Sequence, residues 1–527
     1  MGLENKAEKI WFWCGFALLF IYLEAVTLGQ NIAFFDVWPR RYLLLCALGA
    51  AVACFVGVAL CGKIRFPAAA PAAAPRSGKK GLALAALVCL LTLAVLLIWQ
   101  VAFWPGGLSD DSKSQFAQVL SGEYNAWHPV LHTWLFFWLP YQIFHQYWGI
   151  VFTQLLCFSL AMGYLFYVLY TTEAPWGFMI PAWLYIAANE NTGAMLLYPW
   201  KDCAMTVFAL VLFTQVIQIY LSDGAWLKKW RNVAAFAAIA FLTNAMRHNA
   251  VLLVAPVFII LFVFLKDARK KLAISAALAV AATLLLQGPV YALADVEEPG
   301  RRSTEMLGLP MTILTHVYVE DPEALSEEGR AFMDSLAEPD KLAESYVIGS
   351  FNSVKYIDGV PDKVEAEGAG KILRYTFQAA CADPRGALQA FTHATYVVWS
   401  LDGTERGFYS FPEISENDFG LGYHGNTKAL GELLIYYQSC QMYASKYLFG
   451  FPGVVILFLL FMAVAKLGGG NLSQVFMVLA PMAYNFGTML LLSGAEFRFF
   501  YYNFVIVVPL LYIILQKKRL ASDEKDL

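Results

Sequence analysis

The stretch "GLALAALVCLLTLAVLLIWQVAFWPGGLSDDSKSQF" (residues 81–116) places a long apolar run directly before two adjacent carboxylates. A run of about 18 or more apolar residues is long enough to cross a hydrocarbon core of about 30 Å. The stretch therefore predicts a membrane-spanning helix that ends just before Asp110 and Asp111. Charged side chains close to lipid are costly and usually functional, so this acid pair is the first candidate for chemistry.

Composition extends this prediction to the whole chain of 527 residues. Hydrophobic residues make up 59% of the sequence and charged residues only 15%, whereas soluble domains have about 25% charged residues. Apolar runs of spanning length recur, and the short alternating strands of a membrane β-barrel are not seen. We therefore predict an all-α polytopic membrane protein with about twelve transmembrane helices, at residues 10–29, 42–62, 81–103, 149–171, 176–190, 203–222, 232–246, 249–265, 272–294, 446–465, 474–492 and 499–516.

Basic residues predict which connections face the cytoplasm. Four short connections are rich in Lys and Arg, at residues 63–80, 226–231, 266–271 and 517–519. The positive-inside rule assigns all four to the cytoplasm, so both chain termini are predicted to be cytoplasmic. Asp110 and Asp111 then lie outside. Lys201 and Asp202 lie outside too, because the span that follows them must end at a cytoplasmic connection.

The segment 129–147 is predicted to lie on the membrane instead of crossing it. Between two external points the chain crosses an even number of times, yet three apolar pieces are present, at 129–147, 149–171 and 176–190. The first piece contains Pro140 together with His132 and His145, and its aromatic residues suit a helix in the interface. Residues 104–148 are therefore predicted to form one external loop with two interfacial helices.

The chain is predicted, from the same parity of crossings, to have six segments. They are an N-terminal helix pair (1–62), a cytoplasmic Ala/Pro/basic linker (63–80), a transmembrane core (81–294), an extracellular, mostly helical insert (295–445), C-terminal transmembrane helices (446–516) and a cytoplasmic tail (517–527). The insert holds most of the chain's 40 acidic residues and is most simply a solvated surface, or else holds an acceptor. Whether Cys381 and Cys440 pair is left open by the sequence.

Nine ionisable residues from four external loops are predicted to share one membrane depth: Asp110, Asp111, His128, Lys201, Asp202, Arg247, His248, Glu496 and Arg498. A carboxylate in such a cluster can act as general base on an acceptor hydroxyl. Lys and Arg can hold a phosphate, and a phosphate held in this way is a better leaving group. The cluster therefore has the groups needed to move a sugar from a polyprenyl-phosphate carrier.

Each of these residues also has a simpler structural explanation. The alternatives are a cap for the helix starting at Ser112 (Asp110 and Asp111), a snorkelling pair at a helix start (Lys201 and Asp202), a headgroup contact (Arg247), a structural position (His248), an interfacial position (His128) and a mutual ion pair (Glu496 and Arg498).

Five motifs, in chain order, resemble the GT-C superfamily of integral-membrane glycosyltransferases, in particular uncharacterised Gram-positive bacterial members. They are "PGGLSDDSKSQFAQVLSGEYNAWHPVLHT", "LYPWKDCAMTVF", "MRHNAVLL", "STEMLGLPMTIL" and "SGAEFRFFYYNF". The resemblance covers roughly residues 81–516. Each motif is weak alone. The set is specific because the motifs occur in the same order as in the family and are predicted on the same side of the membrane.

The resemblance implies a GT-C-like fold, a lipid-phosphate-sugar donor and inversion at the sugar carbon by one external carboxylate. By position, Asp111 aligns with the Asp that precedes a Ser in relatives, and Asp110 is the second choice. The donor-phosphate and substrate-binding candidates are Lys201, Asp202, Arg247, Glu496 and Arg498, with His128 orienting donor or acceptor. The chain departs from the mannosyltransferase pattern of Asp-Glu and two prolines, which leaves the sugar and the acceptor open.

The expected function is therefore that of a bacterial plasma-membrane glycosyltransferase. It would use a polyprenyl-phosphate sugar and an extracellular cell-envelope glycan or glycolipid, within the lipid bilayer and without nucleic acid. A transporter or flippase for a lipid-linked or anionic solute is the main alternative, and a polysaccharide polymerase or ligase is the third. No P-loop, Rossmann glycine pattern or His/Cys metal cluster is present in the sequence. No metal or other cofactor is expected, with Mg²⁺ or Mn²⁺ on the acid pair as the minor alternative.

Overall fold

The computed structural model of the protein describes residues 6–35, 38, 42–65, 76–298, 302–402, 412–423, 428–467 and 472–516. In these ranges the chain is helical and contains no strand, only three isolated backbone bridges. Residues 66–75 of the predicted linker and the predicted tail 517–527, with its basic residues 517–519, lie outside the described residues. The prediction of an all-α chain is confirmed for the part of the protein that is described.

Seven helices are long and apolar enough to cross a membrane, and each corresponds to a predicted span. They are Lys9–Phe35, Leu43–Lys63, Gly78–Ala102, Tyr147–Thr171, Lys201–Leu221, Lys266–Leu293 and Phe497–Leu515. Lys201–Leu221 and Phe497–Leu515 are the most buried of the seven, at 78% and 83%, so these two helices lie at the centre of the bundle. The architecture is that of a multi-pass helical membrane protein.

The five remaining predicted spans correspond to shorter helices of 11 to 17 residues. They are Trp176–Ala187, Trp230–Met246, Val251–Phe264, Pro452–Lys466 and Leu479–Met489, the last preceded by Leu472–Phe476. A straight helix needs about 20 residues to cross a bilayer core. The total of twelve spans and the GT-C-like fold therefore stay predictions.

Two of the basic connections lie against each other, and a third contacts a neighbouring helix end. The Lys271 ammonium lies 3.0 Å from the centroid of the Trp230 ring, which joins connection 266–271 to connection 226–231. Lys466 donates to the carbonyl of Ile64 at 2.6 Å, and the ring centroids of Phe264 and Phe476 are 5.5 Å apart. That these connections share the cytoplasmic side of the membrane stays a prediction.

The insert folds around a hydrophobic core of its own. Its helices are Arg302–Met306, Gly308–Glu320, Glu327–Leu336, Pro339–Ser345, Asn352–Lys355, Val360–Glu367, Ala369–Ala382, Pro384–Trp399 and Lys428–Phe449. The helix Pro384–Trp399 packs against both Lys6–Phe35 and Pro452–Lys466, so the insert and the N-terminal helix pair are in contact. Cys381 and Cys440 are both free and exposed, and no disulfide joins them.

The segment 129–147 forms three short helical pieces: Val130–His132, the π-helix Thr133–Trp138 and Leu139–Phe144. It packs against the helix Asp110–Ser121. His132, which the sequence predicts at the lipid interface, is instead fully buried, and its Nδ1 lies 2.9 Å from the side-chain nitrogen of Gln115. The prediction for His132 was wrong because Gln115 supplies a polar partner that the apolar pattern does not reveal.

Candidate functional site

Asp111 lies in the first turn of the helix Asp110–Ser121. The N-cap of this helix is Ser109, whose hydroxyl accepts a hydrogen bond from the backbone N–H of Ser112 at 3.3 Å. The alternative in which the two acids cap a helix starting at Ser112 is therefore wrong by two residues. With the cap supplied by Ser109, the Asp111 side chain is available for contacts outside its own helix.

Two cations from distant parts of the chain meet the Asp111 carboxylate. Arg498 donates to it at 2.8 Å, and the ammonium of Lys201 lies 4.0 Å away. Burial raises the pKa of the Asp111 carboxyl, but Arg498 and Lys201 outweigh burial and hold that pKa well below its ordinary value. Asp111 is therefore ionised at neutral pH, and it is a weak base for as long as both cations face it.

Asp110 points away from this cluster. Its carboxylate pairs with Lys113 one turn along the helix at 3.0 Å, and its side chain is 83% exposed, against 28% for Asp111. Neighbouring residues at a helix start project in different directions, so the two carboxylates enter separate ion pairs. This arrangement offers no shared pair of carboxylates for Mg²⁺ or Mn²⁺. Among the described residues, no group of three or more His, Cys, Asp or Glu side chains could hold a metal ion.

His128 and Lys201 form the second contact of the cluster, with Lys201 Nζ 3.2 Å from His128 Nδ1. Burial and the charge of Lys201 lower the pKa of His128 to about 3. His128 is therefore neutral at physiological pH, and its Nδ1 accepts a hydrogen bond from the ammonium. This leaves the ring proton on Nε2 and fixes the position of Lys201 beside Asp111.

Asp202 and Arg247 pair with each other behind the Asp111 cluster. The two form an ion pair in which the Asp202 side chain is 1% exposed and the Arg247 side chain 8%. Arg247 also donates from Nε to Asn249 at 2.7 Å, and its guanidinium lies 3.9 Å from the centroid of the Phe499 ring. The structure therefore ties the start of the helix Lys201–Leu221 to the turn after Trp230–Met246 and gives this pair little access to solvent.

Arg498 is held from three sides. Beside its bond to Asp111, its Nε lies 3.5 Å from the carboxylate of Glu496, and its guanidinium lies 4.9 Å from the ring centroid of Trp200. The indole N–H of Trp200 donates to Ser109 at 2.7 Å. Trp200 thus contacts both the cap of the Asp111 helix and the cation that Asp111 binds.

The insert closes over these loops by backbone pairing. Leu108 donates to the carbonyl of Glu413 at 2.8 Å and accepts from Ser415 at 2.8 Å, and Glu297 donates to the carbonyl of Tyr124 at 2.9 Å. Both pairings join the insert to the loop that carries Asp110 and Asp111. The insert therefore forms one wall of the site and is more than a separate solvated surface.

Seven of the nine predicted site residues lie together, and two lie apart from them. Asp111, His128, Lys201, Glu496 and Arg498 form one connected cluster, with Asp202 and Arg247 directly behind it. His248 is exposed and Asp110 is turned outward. The mutual pair of Glu496 and Arg498 that was the simpler explanation does form, but Arg498 binds Asp111 at the shorter distance.

Four residues that the sequence does not single out also shape the site: Ser109, Trp200, Asn249 and Phe499. Trp200 stands next to Lys201 in "YPWKD", where an interfacial belt was a sufficient explanation for an aromatic residue. An Arg over an aromatic ring requires the fold to bring them together, so no spacing in the sequence could have shown it.

No protein-family model, curated protein or solved structure matches this chain.

Proposed function

We propose that this chain is a membrane glycosyltransferase of the GT-C type. It transfers a sugar from a polyprenyl-phosphate donor to an extracellular cell-envelope glycan or glycolipid, with inversion at the sugar carbon. One observation carries the proposal: a single carboxylate, Asp111, is held between the two cations Arg498 and Lys201 where two central membrane-spanning helices begin. A carboxylate and cations at a lipid interface suit the transfer of a group from a lipid phosphate.

Donor binding would convert the Asp111 carboxylate from a weak base into a working one. The phosphate of the donor is an anion, and it would compete with Asp111 for the donors of Arg498 and Lys201. As the two cations turn to the phosphate, their hold on the carboxylate weakens and the Asp111 pKa rises toward its ordinary value. The base would then act only when a donor is present.

The transfer itself is a single displacement. The acceptor hydroxyl oxygen forms a bond to the anomeric carbon from the face opposite the phosphate, and the hydroxyl proton passes to Asp111. The bond between the anomeric carbon and the phosphate oxygen breaks, and its electron pair stays on the polyprenyl phosphate. Arg498 and Lys201 stabilise the negative charge that develops on this leaving group.

A small cleft opens beside the cluster. Its lining residues are Pro129, Asn244, Ala245, His248, Thr283, Leu286, Gln287 and Tyr291. Thr283, Leu286, Gln287 and Tyr291 belong to the helix Lys266–Leu293, where the π-helix Leu286–Val290 contains Pro289. Pro interrupts regular helical hydrogen bonding and opens space between helices. Because Pro129 follows His128, this cleft borders the proposed donor site.

The direct test uses the purified protein in lipid vesicles with a polyprenyl-phosphate sugar labelled in the sugar and a cell-envelope glycan fraction. Formation of a labelled, inverted glycosidic bond is the expected result. Movement of intact labelled lipid across the vesicle membrane, without a new glycosidic bond, would instead identify a transporter or flippase. Joining of whole lipid-linked oligosaccharides would identify a polymerase or ligase.

Replacing Lys201 with Met should weaken binding of the donor phosphate. A charge-assisted hydrogen bond to phosphate contributes about 1.5–3 kcal/mol, which corresponds to an increase of roughly tenfold or more in the KM for donor. The matched control is Lys113→Met, since Lys113 pairs with the outward-facing Asp110. A donor KM that changes equally in both variants would contradict a phosphate contact at Lys201.

The value of kcat/KM should be insensitive to pH on the acid side of neutrality. The kcat/KM profile reports the ionisation of the free enzyme, in which the pKa of His128 is lowered to about 3 and that of Asp111 lies well below its ordinary value. Both groups therefore keep one protonation state as the pH falls from 7 to 5. An acid limb within this range that disappears in His128→Gln would show that His128 titrates during the reaction.

A further inference from the structure

The insert contributes a second cation–carboxylate pair next to the site. Lys355 donates to the carboxylate of Glu305 at 2.7 Å. Glu305 follows Thr304, whose backbone N–H donates to Glu365 at 3.1 Å and whose hydroxyl donates to the carbonyl of Pro361 at 3.2 Å. The segment that bears Glu305 is therefore fixed to the insert helix Val360–Glu367 and does not depend on lipid or on the first external loop.

The other half of this pair is fixed to the loop that carries Arg498. The backbone N–H groups of Phe351 and Asn352 donate to the carbonyl of Ser493 at 2.8 and 3.1 Å, and the Ser493 hydroxyl donates to the side chain of Asn352 at 2.7 Å. A Cβ at Gly308 would come within 2.7 Å of Ser493, so only glycine allows this approach. Lys355 ends the short helix that begins at Asn352, and it is held at a defined place beside the site.

The exposure of the pair shows which of its groups is open to a ligand. The Lys355 side chain is only 9% exposed, whereas the Glu305 side chain is 40% exposed. The adjacent Tyr356 is 80% exposed, and its ring centroid lies 5.1 Å from the Lys355 ammonium. A partly open carboxylate and an open aromatic ring thus both lie close to a buried ammonium.

This set of groups suits a sugar ring. A pyranose has a C–H face that packs on an aromatic ring, and its hydroxyls donate hydrogen bonds to a carboxylate. The segment that carries Lys355 is bonded to Ser493, three residues before Glu496 of the Asp111 cluster. A sugar that is bound at this rim would therefore lie on the insert side of that cluster.

We propose that Glu305, Lys355 and Tyr356 form a subsite for a pyranose of the acceptor glycan. Its place in the reaction rests on the proposed glycosyltransferase function, but its binding of sugar stands on these three residues alone. Glu305 accepts hydrogen bonds from the hydroxyls, Lys355 holds the Glu305 carboxylate in place, and Tyr356 packs on the C–H face. The subsite belongs to the insert, so it selects the acceptor without touching the donor phosphate.

Saturation-transfer difference NMR on the full chain in nanodiscs tests the subsite directly. The probes are methyl β-D-glucopyranoside and methyl α-D-mannopyranoside at millimolar concentration. We expect saturation of the ring protons with the wild-type chain and a loss of about tenfold in binding with Glu305→Gln, since a bond to a charged group is removed. Tyr356→Ala should show a similar loss.

Two variants on the same insert serve as matched controls. Glu328→Gln removes a carboxylate from an exposed ion pair with Arg374, and Phe377→Ala removes a ring that is 71% exposed. Both should bind the probes as the wild type does, and thermal unfolding should show all four variants folded. Absence of saturation with the wild type, or equal binding by test and control variants, would overturn the subsite.

The outcome is separable from that of the transferase itself. Probe binding that depends on Glu305 and Tyr356 in a chain that forms no glycosidic bond would support the subsite and refute the transfer reaction. Transfer that proceeds with an unchanged acceptor KM in both variants would refute the subsite and leave the transferase standing.

Discussion

Turnover should fall by roughly 10²–10⁴-fold when Asp111 is replaced by Asn, because this is the usual contribution of a general base. Asn has nearly the same shape as Asp but cannot take a proton from the acceptor hydroxyl. The donor KM should change less than kcat, since Lys201 and Arg498 stay in place to hold the phosphate. The measurement is steady-state transfer of labelled sugar from a polyprenyl-phosphate donor.

The adjacent Asp110 provides the control for this variant. Asp110→Asn removes the same chemical group one residue earlier, from a side chain that is 83% exposed and paired with Lys113. It should retain near wild-type turnover and an unchanged donor KM. Equal turnover in the Asp111 and Asp110 variants would contradict the mechanism, and loss in Asp110→Asn alone would move the base to the other carboxylate.

A third variant separates the proposed release of Asp111 from simple loss of the base. With Arg498→Lys, a cation stays near Asp111, but the planar fork that reaches both the carboxylate and a phosphate is gone. The donor KM and kcat should then both suffer, whereas Asp111→Asn mainly lowers kcat. The two variants differ because Arg498 has two partners. It binds the Asp111 carboxylate at 2.8 Å in the free protein, and it would bind the phosphate once a donor is present.

The sequence identified most of the charged residues of the site but few of their partners. Parity of the apolar runs brought Asp111, Lys201 and Arg498 to one face, and the structure joins these three in one cluster. The apolar pattern also located all seven helices of spanning length. Both predictions rest on properties that a single chain displays directly, namely hydrophobic length and charge.

The features that the sequence could not show mostly depend on contacts between segments that are distant in the chain. The choice between Asp110 and Asp111 is made by Ser109, which caps the helix and so fixes the direction of each carboxylate. The docking of the insert depends on Gly308 lying against Ser493, a contact between two positions that no local pattern connects. Arg247 was expected at the donor phosphate because the sequence displays its charge. The sequence does not display its pairing with Asp202.

Loss of Asp202 should destabilise the protein more than any other single change considered for the site. Asp202→Ala leaves Arg247 charged, buried and without its carboxylate, and breaking a buried ion pair in this way costs about 3–5 kcal/mol. The remaining contact of Arg247 with Asn249 places the expected loss toward the lower end of this range. The measurement is the free energy of unfolding from a titration with a denaturing detergent.

A second substitution in the Asp202→Ala variant shows whether this loss comes from the unpaired charge. Arg247→Met in the Asp202→Ala background removes the buried charge, so most of the lost stability should return, because an apolar replacement of a buried pair is often close to neutral. Glu328→Ala, which breaks the exposed pair with Arg374, should cost at most about 1 kcal/mol. If the double variant is as unstable as Asp202→Ala, the unpaired charge of Arg247 is not the cause of the loss, and the Asp202 carboxylate stabilises the loop through some other contact.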